Sequence, residues 1–211
     1  MMRNLLYNLI INEFTENCYE NCLNYFPDSS TILDVGIGNG KMLKRYHRLI
    51  KSKNLKITGV DINRVYLNNC RRLVHNYRLE NYLKLYHEPI ESFEPDGHRW
   101  FDFILFSMSF MLFENQESIL EKVKGCLKQD GQIIFFQTMF KERSRFLEFI
   151  KPKLKYITTI DFGKMTYESE FFALLERQNL SVTRNRRTSK EFFKGECRMI
   201  VCGNSKPSQI S

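Results

Sequence analysis

The residues best suited to bind a ligand lie together in residues 32–43, which read ILDVGIGNGKML. An acidic residue, Asp34, precedes three glycines at alternate positions, Gly36, Gly38 and Gly40. Glycine lets the backbone turn sharply and come close to a ligand, and the next helix offers free N–H groups at its start. This stretch therefore predicts a nucleotide-like ligand bound at a strand-to-helix turn.

A second acidic residue, Asp61, ends the segment GVD about 20 positions after the glycines. An acid at that interval in dinucleotide-binding folds accepts hydrogen bonds from ribose hydroxyls. The glycines follow the pattern GxGxG, whereas nicotinamide dinucleotides are bound by GxGxxG. This spacing, together with Asp34, disfavours a nicotinamide-dependent oxidoreductase.

The elements that must position these residues alternate along the chain between short apolar segments and amphipathic helical segments. This alternation is typical of βαβ units with a parallel sheet that is covered on both faces. The last two segments predict a closing hairpin, so we expect a three-layer, Rossmann-like α/β fold. Its sheet would be mostly parallel and seven-stranded, with a C-terminal antiparallel hairpin. The strand-like segments are TILDV, LKITGVD, NYLKLYHE, WFDFILFSMSF, GQIIFFQTM, SVTRNRRTS and ECRMIVCG.

Helical periodicity before Pro27 predicts an N-terminal helical cap over residues 1–28. We expect its aromatic residues Tyr7, Phe14 and Tyr19 to be buried in the core, and a lid over the ligand is the alternative. The main domain would span residues 29–204 with an insertion at about 141–165, and residues 205–211 would form a flexible tail. Thr166 is the predicted N-cap of the last helix.

With these motifs in order, the sequence resembles the class I S-adenosylmethionine-dependent methyltransferase family. The resemblance covers roughly residues 30–140 and rests on LDVGIGNG, GVDIN, FDFILFSMSF and LKQDGQIIFF. It implies a Rossmann-like methyltransferase fold with S-adenosyl-L-methionine as the cofactor. By the same resemblance, Asp34, Gly36 and Gly38 would lie against the amino and carboxylate groups of the cofactor. Asp61 would bind its ribose, and Ile62 would flank its adenine.

Three further residues are placed at the cofactor by resemblance. Glu88 and Pro89 stand where the family usually has an aspartate and a small residue beside the adenine, and Ser107 follows the fourth strand. Glutamate in place of aspartate, and LKQDG in place of the usual LKPGG, are departures from the family pattern. His87, just before Glu88, is expected to be structural.

No catalytic residue is assigned from the sequence. Methyl transfer from a sulfonium depends mainly on aligning the acceptor and excluding water. The segment SMSFMLF after the fourth strand has no histidine or carboxylate that could act as a general base. The mechanism predicted is therefore in-line displacement assisted by positioning.

The compact domain with short caps favours a small-molecule acceptor, and the net charge of +8 favours an anionic one. An RNA or protein acceptor remains open, as does a non-catalytic scaffold that binds the cofactor. DNA is disfavoured because the chain lacks the Asn-Pro-Pro-Tyr signature of amino methyltransferases that act on adenine.

The predictions of cellular location and metal content depend on three features that the sequence lacks: a membrane span, a signal peptide and zinc-site spacing. No window approaches the roughly 18 apolar residues of a membrane span, and the N-terminus lacks the apolar centre of a signal peptide. The six cysteines and four histidines do not have zinc-site spacing. We therefore expect a cytoplasmic protein with no structural metal and no membrane association, and the sequence does not specify its oligomeric state.

Overall fold

The structure, a computed structural model, describes residues 19–95, 100–143, 165–187 and 195–204. Its helices are α1, described over residues 19–25, α2 (Lys41–Ser52), α3 (Arg64–Asn76), α4 (Gln116–Cys126) and α5 (Glu168–Arg177), with a 3₁₀ turn at Phe110–Leu112. Its strands are β1 (Thr31–Val35), β2 (Lys56–Asp61), β3 (Leu83–His87), β4 (Phe101–Ser107), β5 (Leu127–Phe140), β6 (Thr166–Tyr167), β7 (Leu180–Arg187) and β8 (Glu196–Asn204).

Within these ranges the strands form one mixed sheet in the order β3-β2-β1-β4-β5-β8-β7, and the short β6 pairs with β5. β1 to β6 pair in parallel, whereas β8 is antiparallel to both β5 and β7. The predicted parallel sheet with a C-terminal antiparallel hairpin is confirmed. β6 adds a two-residue strand to the seven that the sequence predicts.

Two apolar layers cover the sheet, one on each face, which confirms the three-layer architecture. One layer joins α1, α2 and α3 to the sheet, and the other joins α4 and α5 to its opposite face. Along β5, Ile134 and Phe136 belong to the first layer, while Ile133 and Phe135 belong to the second. A strand buried on both faces reads as a continuous apolar run, which is why the segment IIFF carries no polar alternation.

The predicted N-cap at Thr166 is wrong. Thr166 lies in β6, where it pairs with Met139 of β5, and the N-cap of α5 is Tyr167, which makes no side-chain cap hydrogen bond. Because Thr166 pairs with β5 as part of the sheet, it does not act as the helix cap. Glu168 and Glu170 do lie in the first turn of α5, where negative charge complements the helix dipole.

Several sequence predictions fall outside the described residues. They concern Tyr7 and Phe14 in the cap, most of the insertion at 141–165, and the tail at 205–211. The proposed domain boundaries therefore stay predictions. No helix in the described ranges is long and apolar enough to cross a membrane.

Candidate functional site

The predicted site residues meet at the carboxyl edge of the parallel strands. Asp34 is the next-to-last residue of β1, and Asp61 and Ser107 are the last residues of β2 and β4. β1 lies between β2 and β4 in the sheet, so the strand order runs from β1 towards β3 on one side and towards β5 on the other. A crevice opens at such a point outside the strand ends, which is where open α/β sheets bind their ligands.

The glycine turn is tied to the neighbouring strand and has positive backbone angles. The N–H groups of Gly36 and Ile37 donate to the Val60 carbonyl at 2.8 and 3.3 Å. Gly36, Gly38 and Gly40 have φ angles of +78°, +66° and +69°, a region that favours glycine.

The three glycines differ in their surroundings. A Cβ atom on Gly36 would lie 2.7 Å from Ser109 Cβ, and one on Gly40 would lie 2.6 Å from Cys70 Sγ. A Cβ atom on Gly38 would meet nothing within 4 Å. Gly36 and Gly40 are therefore required for packing, whereas Gly38 borders open space in which a ligand can approach the backbone.

Asp61 links this turn to the start of α3. One carboxylate oxygen accepts a hydrogen bond from the Gly38 N–H at 2.8 Å, and the other accepts one from the Asn63 N–H at 2.8 Å. Each oxygen keeps a further lone pair with which it can accept another donor. Asp61 is half-buried and stands beside Gly38.

Apolar surface lies next to Asp61, as a base-binding site requires. Ile62 and Val65 are 73% and 75% exposed. His87 Nε2 donates to the Ile62 carbonyl at 3.0 Å, so it fixes this loop to the end of β3. Glu88, half-buried, and Pro89, exposed, follow directly on the same edge.

Asp34 is fully buried and only partly satisfied. The Tyr19 hydroxyl donates to Asp34 Oδ2 at 3.1 Å, while Oδ1 has no hydrogen-bond partner among the described residues. Burial raises the pKa of Asp34 to about 7, the Tyr19 hydrogen bond acts to lower it, and the negative charge of Asp61 raises it. A buried carboxylate oxygen without a partner is costly, so the position fits a cationic ligand group.

The chain that leaves β4 is held tightly against the turn. Met108 has a φ of +56°, and its N–H donates to the Phe136 carbonyl at 2.8 Å. The next residue, Ser109, is buried and donates its hydroxyl to the Val35 carbonyl. A left-handed, non-glycine residue persists only where its surroundings fix it, and such residues cluster at binding sites.

The sequence names Tyr19 as a core residue, with a lid as the alternative, but it does not predict the hydrogen bond from Tyr19 to Asp34, and it does not identify Ser109 at all. Ser109 left a weak signal, as a polar residue among the apolar residues of SMSFML. Tyr19 had only its helical spacing, which predicts burial and not a bond to Asp34.

A cleft of about 390 Å³ lies between the start of α4 and α5, and its lining begins at Phe113, directly after the chain that leaves β4. Its size is within the usual range of small-molecule pockets. Three glutamates line it, Glu114, Glu117 and Glu170, together with Arg177. Its other lining residues are Phe113, Asn115, Gln116, Met165, Thr166, Tyr167, Phe171 and Leu174. This lining does not favour an anionic occupant.

Comparison with known proteins finds one matching sequence family and several solved structures of similar fold. Residues 33–135 match the sequence family described as a methyltransferase domain, a span that contains every predicted site residue from Asp34 to Ser107. No curated protein matches the sequence significantly.

Three solved structures are similar to the chain. An S-adenosylmethionine-dependent methyltransferase from Aquifex aeolicus has 20% identity and a TM-score of 0.66, with 87% of each chain covered. The Burkholderia thailandensis 1,6-didemethyltoxoflavin N1-methyltransferase, with S-adenosylhomocysteine bound, has 13% identity and a TM-score of 0.66 over 97% of this chain and 82% of that one. The [4+2]-cyclase SpnF has 11% identity and a TM-score of 0.71 over 89% of this chain and 81% of that one. At these identities the likeness is one of fold, and a fold by itself does not determine a reaction.

Proposed function

Since residues 33–135 match a methyltransferase domain, we propose that the chain is a class I S-adenosylmethionine-dependent methyltransferase that transfers a methyl group to a small-molecule acceptor by in-line displacement. The observation that carries the proposal is the buried Asp34 Oδ1, which has no hydrogen-bond partner among the described residues and lies beside an open glycine turn within the matched domain.

The residues present fit S-adenosylmethionine. In this proposal Asp34 Oδ1 receives the ammonium group of the cofactor and the carboxylate lies in the space beside Gly38, which is supported by the missing partner of Oδ1 among the described residues and by the open space at Gly38. Asp61 keeps lone pairs for the ribose hydroxyls, and the exposed Ile62 supplies an apolar face for the adenine. Glu88, Pro89 and Ser107, at the ends of β3 and β4, complete the proposed cofactor site.

The protein contributes alignment and exclusion of water. When bound, the cofactor supplies a methyl group on a sulfonium, which is already an excellent leaving group. Residues 107–112 run from the last residue of β4 along the edge of the proposed site, with Met108 held in a left-handed conformation. They contain no histidine or carboxylate, so we assign no general base and propose that the rate comes from positioning.

The proposed acceptor is small for two reasons. The 390 Å³ cleft beside α5 can hold a small molecule, and a protein of similar fold is named for methylating 1,6-didemethyltoxoflavin. We further propose that the cap at 1–28 and the insertion at about 141–165 form walls of the acceptor site. The carboxylates of the cleft oppose an anionic acceptor there, so the anionic preference rests on net charge alone.

The direct test is to incubate the purified protein with cofactor labelled in the methyl group and a cell extract that contains metabolites, RNA and protein, and then to separate these fractions. Label in a low-molecular-weight product is the expected result. Label confined to RNA or protein would contradict the small-molecule acceptor. Binding of the cofactor without transfer to any fraction would favour the scaffold alternative.

The Asp61→Ala variant should bind S-adenosylmethionine more weakly by about 1–3 kcal/mol, because the ribose hydroxyls would lose their acceptor. Calorimetric titration measures this change, with Asp130→Ala as the matched control, since Asp130 is an exposed acid at the start of β5. Asp61 also accepts the Gly38 and Asn63 N–H groups, so a melting curve is needed to separate loss of binding from loss of structure. Unchanged affinity in a folded Asp61→Ala variant would place the ribose elsewhere.

One surface favours RNA as a second candidate acceptor. Strand β7 forms an edge of the sheet, and every residue in it after Leu180 is exposed, including Arg184, Arg186 and Arg187. Arginine side chains that contact phosphates give nucleic-acid binding whose affinity falls steeply as the salt concentration rises. Binding to an RNA oligonucleotide that falls as salt rises would support this candidate, and no binding at low salt would remove it.

A further inference from the structure

Helix α1 contributes directly to the candidate cofactor site through Tyr19. The side chain of Tyr19 is buried, and its hydroxyl donates to Asp34 Oδ2 at 3.1 Å. The bond leaves Oδ1 as the oxygen without a partner in the described part of the chain. Tyr19 therefore decides which of the two oxygens is open to a ligand.

We propose that Tyr19 is a positioning residue of the cofactor site: its hydroxyl holds Asp34 so that Oδ1 receives the cofactor's ammonium group, and cofactor binding releases a proton from Asp34 to the solvent. This inference rests on the proposed function, because it requires S-adenosylmethionine or its product at Asp34. In the binding step the O–H bond of the protonated carboxyl breaks, and the proton passes to the buffer.

The proton release follows from the surroundings of Asp34. Burial raises its pKa to about 7, so near pH 6 the carboxyl is mostly neutral in the ligand-free protein. An ammonium group placed against Oδ1 favours the carboxylate and lowers that pKa. By linkage, binding in this pH range must then expel the proton.

The other titratable groups that act on Asp34 do not compete for this role. Cys22 of α1 and Cys70 of α3 both have a pKa raised by burial, so their thiols stay neutral near pH 7. Asp61, at the end of β2, is negative and raises the pKa of Asp34. Tyr19, from α1, acts in the opposite direction by donating a hydrogen bond.

The hydroxyl of Tyr19 therefore has a measurable electrostatic effect. A donor to the charged form of a carboxyl favours that form, so removing it raises the pKa of Asp34 further. At neutral pH the Tyr19→Phe variant would hold less carboxylate and would bind the cofactor more weakly. The phenylalanine ring keeps the apolar packing of α1, so this variant should fold.

The test is calorimetric titration with S-adenosylhomocysteine in two buffers of different ionisation enthalpy, which reports the protons released on binding. The titrations are made near pH 6, pH 7 and pH 8. The proteins compared are the wild type, Tyr19→Phe and the control Tyr25→Phe. Tyr25 lies on the same helix, but its hydroxyl donates to Gln132 Oε1 at 2.8 Å and not to Asp34.

We expect the wild type to release about one proton near pH 6 and almost none near pH 8. Tyr19→Phe should bind roughly three- to tenfold more weakly near pH 7 and should continue to release a proton at higher pH. Tyr25→Phe should behave as the wild type. A loss of affinity in Tyr19→Phe without a shift in its pH profile would indicate packing alone and would overturn the inference.

The wild-type titration tests the inference even if a variant fails to fold. Binding with no proton release at any pH would overturn it and leave the proposed function standing. Absence of S-adenosylhomocysteine binding at every pH would overturn the proposed function, and this inference with it.

Discussion

The Asp34→Asn variant should bind S-adenosylmethionine about 150- to 5000-fold more weakly, although its ligand-free form should be more stable than the wild type near pH 8. The binding loss follows because asparagine has the shape of aspartate but no charge. The ammonium group of the cofactor would then be buried against a neutral amide. Removing one member of a buried ion pair costs about 3–5 kcal/mol.

The gain in stability follows from the raised pKa of Asp34. Burial raises it from 3.8 to about 7, so the folded protein binds this proton more tightly than the unfolded chain does. Wild-type stability therefore falls as pH rises from about 4 to about 7, and the full loss, about 4 kcal/mol, is present above that window. Asparagine does not titrate, so the variant avoids the loss. Its advantage should be absent near pH 4 and largest near pH 8.

Denaturant unfolding across this pH range and titration with S-adenosylhomocysteine measure the two effects separately. Asp130→Asn is the control, because Asp130 is an exposed acid near the start of β5 and is not one of the residues of the glycine turn. If Asp34→Asn is less stable than the wild type at every pH, Asp34 is a structural acid. If its affinity is unchanged, the cofactor does not contact Asp34.

The parts of the site that the sequence predicts are those encoded locally. Asp34 and the glycines lie on one turn, and Asp61 lies at a spacing set by one βαβ unit, so the fold brings them together wherever that unit forms. The sheet could be predicted for the same reason, since each strand and helix carries its own periodicity.

The parts that escaped prediction depend on packing between distant segments. The bond from Tyr19 to Asp34 exists because α1 packs on the same face of the sheet as α2 and α3, which the spacing within α1 does not show. Thr166 was mistaken for a helix cap because its residue type favours that position. The backbone of β5 pairs with it in the folded protein instead.

The Arg198→Ala variant should lose about 3–5 kcal/mol of folding stability, because Arg198 joins α5 to β8 in a buried ion network. Arg198 is only 8% exposed, and it makes two hydrogen bonds to Glu168 at 2.8 and 3.0 Å. It also donates twice to Glu196 Oε2, at 3.0 and 2.7 Å. Without the arginine, the buried carboxylate of Glu196 and the half-buried carboxylate of Glu168 lose these partners.

Glu196 keeps a contact with Lys141 at 3.1 Å, which places the expected loss nearer the lower end of that range. The control is Arg177→Ala, since the pair of Arg177 and Glu117 is 59% and 51% exposed and should contribute less than about 1 kcal/mol. A loss for Arg198→Ala no larger than for this control would show that the buried network does not stabilise the fold.

Lowering the pH should reduce the difference in folding stability between the wild type and Arg198→Ala. Hydrogen bonds from Arg198 and Lys141 lower the pKa of Glu196 below its ordinary value of 4.5. A pKa that is lower in the folded protein adds stability at pH values above the unfolded pKa, and this contribution is lost as the pH falls through the folded pKa.

The network lies on the α5 side of the sheet, whereas Asp34 lies on the α1 side, so Arg198→Ala should keep its affinity for S-adenosylhomocysteine while folded. Weakened binding that follows the stability loss would show instead that the two faces of the sheet are coupled.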